Sequence, residues 1–140
     1  MFELNAPIIP GKSAAGVSLG QSIKPILPAN LPTSVEQLSK SEKFSFGSVE
    51  LWVEDGRVIQ IGVRAGYEGT LHSTIGIGST IAEVQSAIGE VIEDDEDNLV
   101  VPNEDGWCFE TEVWQNGEKV EDNLSSRISA ILVYPAAHES

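Results

Sequence analysis

The sequence predicts an α+β fold: one antiparallel sheet of four to six strands with short helices on one face. Three observations predict it. A helix-entry pattern occurs twice, at Leu19–Ile26 and again 58 residues later at Ile77–Val84. Each copy is followed by runs in which apolar and polar residues alternate, separated by turn signals. The last run, Ile128–Tyr134, is apolar at both parities, as a central strand buried on two faces must be.

The elements follow in chain order. Residues 1–16 read as an extended N-terminal segment. The shared entry pattern is apolar, Gly, any, Ser/Thr, Ile, any, any, Ile/Val, so the chain reads as two degenerate helix-then-strands repeats. Glycine permits the sharp turn, Ser22 or Thr80 caps, and the apolar pair faces the core. In the first copy Pro25 and Pro28 break the helix. A further short helix is expected there, with Ser34 as cap, Gln37 at the third helical position, and Val35 and Leu38 buried. Residues 48–54 alternate with Val49, Leu51 and Val53 on one face and Glu50, Trp52 and Glu54 on the other. Asp55-Gly56 is a hairpin signal, and Val58–Val63 returns with Ile59, Ile61 and Val63 inward.

The second copy is the better helix. Thr80 and Glu83 have the spacing of a capping box, Ile81, Val84, Ala87 and Ile88 make one apolar face, and Gly89 stops it. Strands are expected at Asn98–Val101, Gly106–Trp114 and Arg127–Tyr134, with turns at Asn103–Gly106 and Asn116-Gly117. Phe109, Val113 and Leu132 join the expected core.

A chain of 140 residues is one domain's worth, and residues 1–140 are expected to fold as one, with 136–140 as a frayed tail. Eight Lys and Arg stand against 22 Asp and Glu, a net charge of −14. That excludes a protein that grips nucleic acid or anionic lipid through its overall field. The charge is also segregated. Residues 65–118 hold 13 acids and no Lys or Arg, while the remainder carries 8 basic and 9 acidic groups. Like charges at this density cost stability unless something cationic meets them. The single cysteine, Cys108, excludes an internal disulfide framework and a thiolate zinc cluster. The N-terminus lacks a basic start and the apolar run of a signal peptide, and no apolar stretch has the length of a membrane span. A cytoplasmic protein is expected.

Catalysis is hard to build from these residues. Of two histidines, His138 lies in the tail and His72 has no partner that spacing identifies. Cys108, between Trp107 and Phe109, reads as a small buried hydrophobe. The run from Asp94 to Asn98 is a poor calcium loop: Leu99 stands where glycine is required, and Asp105 replaces the bidentate glutamate. Gly76-x-Gly78 before a helix can attract phosphate, but the surrounding acids oppose any anion. No catalytic residue, cofactor or metal is expected. What remains is an acidic surface bearing tryptophan, with Asp94, Asp95, Glu96, Asp97, Glu104 and Asp105 facing a cationic partner and Trp107 or Trp114 as the neighbouring anchor. The bland alternative is a solvated loop kept for solubility.

The segment Ile8-Ile9-Pro10-Gly11-Lys12-Ser13-Ala14-Ala15-Gly16-Val17-Ser18-Leu19-Gly20 resembles the opening of small immunity-type proteins found beside bacterial polymorphic and contact-dependent toxins. The tandem helix-then-strands arrangement is also similar to the beta-lactamase inhibitor protein family. The resemblance implies a cytoplasmic inhibitor, monomeric or in a heterodimer, that neutralises a basic toxin domain such as a nuclease. It carries over no residue role, because each immunity protein recognises its own toxin. The rival expectation is a structural or assembly module, such as a phage or secretion-system component. A weaker rival is a hydrolase acting through His72.

Overall fold

Asp55 and Gly56 both take positive φ, 51° and 76°, and turn strand β5 (Val49–Glu54) back into β6 (Arg57–Arg64) through a two-residue hairpin of the type that matches strand twist. This is the expected hairpin. The computed structural model describes residues 2–94, 98–102, 104–111, 114–115, 118–119 and 123–136. Before β5 come the small hairpin β1 (Ser13–Ala14) and β2 (Val17–Ser18), the four-residue helix α1 (Ile26–Ala29), and strands β3 (Ser34–Gln37) and β4 (Glu42–Ser45). After β6 come helix α2 (Ile81–Ala87) and strands β7 (Ile92–Glu93), β8 (Leu99–Val100), β9 (Trp107–Thr111), β10 (Trp114–Gln115), β11 (Glu118–Lys119) and β12 (Ile128–Val133).

Eight strands form one antiparallel sheet in the order β3-β4-β5-β6-β12-β9-β8-β7. The sheet is antiparallel as expected but larger than four to six strands. With helices of only four and seven residues, the fold is β-rich rather than a clear α+β arrangement. The last strand is central, as its two apolar faces require: β12 pairs with β6 (Ile131 with Val63) and with β9 (Ile131 with Phe109). The expected strand 106–114 ends at Thr111. Trp114 belongs to β10, which pairs with β11 in a separate two-stranded sheet.

The two halves of the large sheet are built alike. Each runs from a glycine turn through a short helix into four strands, and the fourth strands, β6 and β12, meet at the centre. Gly20 and Gly78 have φ of 89° and 93°. Arg57 Nη1 donates to the Gly20 carbonyl at 2.9 Å, and Arg127 Nη1 donates to the Gly78 carbonyl at 2.8 Å. Ser22 bridges Arg57, and Thr80 bridges Arg127. The repeated Gly-x-Ser/Thr pattern thus marks the point where each half's helix entry is tied to the start of its own central strand.

The inner face of the sheet carries Val49, Leu51, Val53, Ile61, Val63, Trp107, Phe109, Ile131 and Val133, which share one buried cluster with Ile26 of α1 and Ile81 and Val84 of α2. The N-terminal segment closes over the same cluster through Ile8, Ala14 and Val17. Tyr67 pins it, accepting from the Ala15 amide and donating to the Ala6 carbonyl. Residues 13–18 of this segment are a hairpin, turned by Ala15 and Gly16 at positive φ.

Three local expectations are corrected. Ser34–Gln37 is a strand and not a helix, and Val35 and Leu38 are exposed, because the segment finds hydrogen-bond partners across β4 (Val35 with Phe44). Ile59 is half-buried while Val58 is buried: the register shifts between Trp52 and Val53, so Ile59 is the extra residue of a bulge and leaves the inward set. Ala87 is exposed, and only Ile81 and Val84 of the helix are fully buried. Val113 lies outside the described residues, as do 137–140 of the tail. The capping box forms as expected: the Glu83 amide donates to Thr80 Oγ1 at 3.1 Å, and Thr80 N donates to Glu83 Oε1 at 2.9 Å. Among the described residues no helix is long and apolar enough to cross a membrane.

Candidate functional site

Strand alternation sends Trp52, Gln60, Gly62, Cys108, Ala130 and Leu132 to the outer face of the sheet, away from the main core. One side of this face is a charge lattice. Glu50 is buried beneath it, accepting from Arg64 Nε at 2.8 Å and lying 3.4 Å from Lys43 Nζ. Arg64 also reaches Glu110 at 3.8 Å. Lys43 stands 5.1 Å from the Trp52 ring centroid, a cation–π contact. The expectation of tryptophan among carboxylates is therefore met in part. Trp52 does lie on this face, but it is half-buried and its neighbouring carboxylate is already neutralised.

The other side is a groove of about 600 Å³ lined by Ile59, Gln60, Asp94, Asn98, Cys108, Leu132, Tyr134 and Pro135. Tyr134 extends the outward parity of Ala130 and Leu132 by one step. Its hydroxyl donates to the Trp107 carbonyl at 3.1 Å. Burial, then Cys108, Asp105 and Asp94, push its pKa up to about 12, so the phenol stays a neutral donor. Asp94 and Asp105 thus both act on one phenol although 11 positions separate them. Three local bonds set their places. Asp94 Oδ1 accepts from the Asn98 amide at 3.0 Å while the Asp94 amide donates to the Asn98 carbonyl at 2.9 Å. Asp105 Oδ1 accepts from the Gly106 amide at 2.8 Å.

Glu104 turns the other way, its Oε1 2.6 Å from His72 Nε2. His72 therefore has a partner, 32 residues distant, that no spacing could reveal. The loop carrying Glu104 and Asp105 is anchored where two backbones touch. Gly106 has φ of 88°, its carbonyl accepts from the Gly11 amide at 3.1 Å, and a Cβ on it would meet Gly11 N at 2.5 Å.

Trp107 is not a surface anchor. It is 1% exposed and stacks on Phe109 at 5.8 Å between ring centroids, within the inner core. Residues 107 and 109 share a parity, so a core Phe109 demands a core Trp107. The side chain of Trp114 and the residues Asp95, Glu96 and Asp97 lie outside what the structure describes. Of the acids expected to face a partner, Asp94 lines the groove with Tyr134, Asp105 precedes the Gly106 whose carbonyl accepts from the Tyr134 amide, and Glu104 stands against His72. Tyr134, Gln60 and Asn98 were missed. Only the parity of Leu132 could have flagged Tyr134.

The remaining chemical candidates narrow further. Cys108 is buried, as expected. No group of three or more His, Cys, Asp or Glu that could hold a metal occurs among the described residues. The helix α2 offers no anion cradle, because the amides of Ile81, Ala82 and Glu83 donate to the carbonyls of Ser126 and Leu124 and to Thr80 Oγ1. Glu68, Glu90 and Glu93 are exposed and make no ion pair among the described residues.

No family model matches this chain, and no curated protein matches it. Among solved structures it is similar to the uncharacterized protein yfeY from Escherichia coli, with a TM-score of 0.57 at 12% identity, over 89% of this chain and 95% of that one. At this identity the likeness concerns the fold alone.

Proposed function

We propose that this protein is a cytoplasmic inhibitor of the immunity type, which binds and neutralises a basic toxin domain, a nuclease by preference, through the acidic end of its sheet. The observation that carries the reading is geometric: Asp94 and Tyr134 line one open groove, and Asp105 precedes Gly106, whose carbonyl accepts from the Tyr134 amide at 3.1 Å, both acids lying in a stretch of 54 residues that has no Lys or Arg. A nuclease binds its polyanion through clustered Lys and Arg. An acidic face offers those cations carboxylates with which they can form charge-assisted hydrogen bonds. The exposed Glu90 and Glu93 on the neighbouring hairpin extend the field and would speed encounter. Such a protein needs neither catalytic group nor cofactor. The two like-built halves agree with the tandem arrangement noted in the sequence.

The test is growth rescue followed by kinetics. Co-expression with basic nuclease toxin domains, beginning with any encoded beside this gene, is expected to restore growth for one of them. Reversal of Asp94, Asp95 and Asp97 to Lys is then expected to slow association with that domain, and added salt is expected to slow association of the parent protein. Unchanged association and a flat salt response would assign the acids to solubility and move the interface elsewhere. Failure to rescue against every domain would remove the inhibitor reading and favour an assembly module.

A further inference from the structure

We propose that the β3 edge of the sheet is a self-association surface, at which two copies of this chain pair strand to strand across a two-fold axis. This does not rest on the inhibitor reading, since it concerns the edge opposite the acidic one. Strand β3 pairs with β4 on one side and with no described strand on the other, and all four of its residues are exposed. An edge of this kind offers a row of open N–H and C=O groups. Within Ser34–Gln37 there is no proline, and no register shift interrupts its ladder with β4; Glu36 is its one charged residue.

Apolar surface gathers at the same place. Of the large hydrophobic residues that the described fold leaves exposed, Leu31 (88%), Val35 (47%) and Leu38 (38%) fall within eight residues of sequence. Like-charge repulsion opposes a second copy least along this edge. The protein carries −14 overall, so two copies repel one another. Residues 24–45 hold Lys24, Lys40 and Lys43 against Glu36 and Glu42, and are close to neutral. The other edge, β7, is flanked by Glu90 and Asp94 and contains Glu93, so copies meeting there would set carboxylate against carboxylate.

The register follows from the ladder. The Leu38 amide donates to the Ser41 carbonyl, and this parity gives Ser34, Glu36 and Leu38 to β4, leaving Val35 and Gln37 to point their backbone groups outward. Pairing Glu36 with Glu36 of the second copy would oppose like charges. Pairing Val35 with Val35 avoids that, sets Ser34 against Glu36, and brings Leu38 beside Pro32 of the other copy. The Val35 pair then lies on the inner-face side of the join and the Leu38–Pro32 contacts on the outer-face side, so apolar contact is made on both faces of the joined sheet.

Light scattering over a concentration series is expected to show the mass rising toward twice 15.0 kDa. Val35→Lys, at an exposed position that leaves the fold intact, is expected to hold the protein at the mass of one chain. Hydrogen-bonded antiparallel partners have Cα atoms about 5.5 Å apart, within disulfide range, so Val35→Cys should cross-link to a covalent dimer under copper–phenanthroline. Ile92→Cys, exposed on the opposite edge, should not. A single-chain mass at every concentration overturns the proposal and leaves this edge to a strand of a different protein. Cross-linking through Ile92→Cys in place of Val35→Cys overturns it as well.

Discussion

Trp52 fills the space that a side chain at Gly62 would need: a Cβ there would stand 3.0 Å from Trp52 Cζ3 and 3.0 Å from Leu132 Cδ2. The indole of one strand is thus seated in a notch on the next. Gly62→Ala is expected to cost about 1–3 kcal/mol in urea unfolding, the usual range for overpacking, and to shift tryptophan emission. In a Trp52→Ala background most of that cost should vanish. An equal cost in both backgrounds would place the clash at Leu132 alone.

Leu51 is fully buried at the centre of the inner face, whereas Leu31 is 88% exposed. Leu51→Ala is expected to lose about 2–5 kcal/mol. Leu31→Ala should stay within about 0.5 kcal/mol of the parent protein at concentrations where single chains prevail. Chemical denaturation of the two variants side by side checks the pair.

Removing the cap of α2 tests the most local piece of the fold. Thr80→Ala is expected to cost about 1 kcal/mol. The Glu83 carboxyl is held below its usual pKa, first by the Thr80 amide and then by the Thr80 hydroxyl. Its contribution is therefore present above the unfolded glutamate value and is lost as the pH falls through the lowered folded one. The stability difference between the parent and Glu83→Ala should narrow across that acid window. A difference independent of pH would show that the pairing is not electrostatic.

At the alkaline end, both tyrosines are raised: Tyr134 to about 12, and Tyr67 above 10.0, each chiefly by burial. A raised folded pKa gives a contribution that is complete below 10.0 and fades as the pH rises toward 12. Phenolate absorbance should accordingly lag behind free tyrosine in the native protein and match it in urea. Tyr134→Phe should flatten the decline in stability over this range. Native phenolate appearing at the ordinary tyrosine value would contradict the buried, acid-flanked setting of Tyr134.

What was legible in the sequence was whatever depends on neighbours in the chain. Asp55-Gly56 needed only two positive φ angles, and Thr80 with Glu83 only one helical turn. Both could be read from four residues. The central place of Ile128–Val133 was legible because burial on both faces leaves its mark on every residue. Ser34–Gln37 misled because its Ser-x-x-Gln spacing satisfies a capping box, while the β4 partner that makes it a strand is invisible locally. The bulge at Ile59 adds one residue and reverses parity without any glycine or proline to announce it. The acidic site was half legible. The concentration of charge was plain, but the convergence of Asp94 and Asp105 on Tyr134 depends on β12 lying next to β9, and His72 with Glu104 on two loops that meet only in the folded chain.

The position of β12 governs the order in which the molecule can be assembled. A ribosome delivers β6 and β9 well before the strand that sits between them, and until then each presents a bare margin lined with valine, isoleucine and phenylalanine. Among the described strands, the two halves of the large sheet are joined through β12, the last of them in chain order. Joining the two halves of the sheet therefore needs long-range closure, the kind of contact that slows folding. Nicking the chain just ahead of Arg127 would withdraw the keystone and open the sheet into two unfinished pieces.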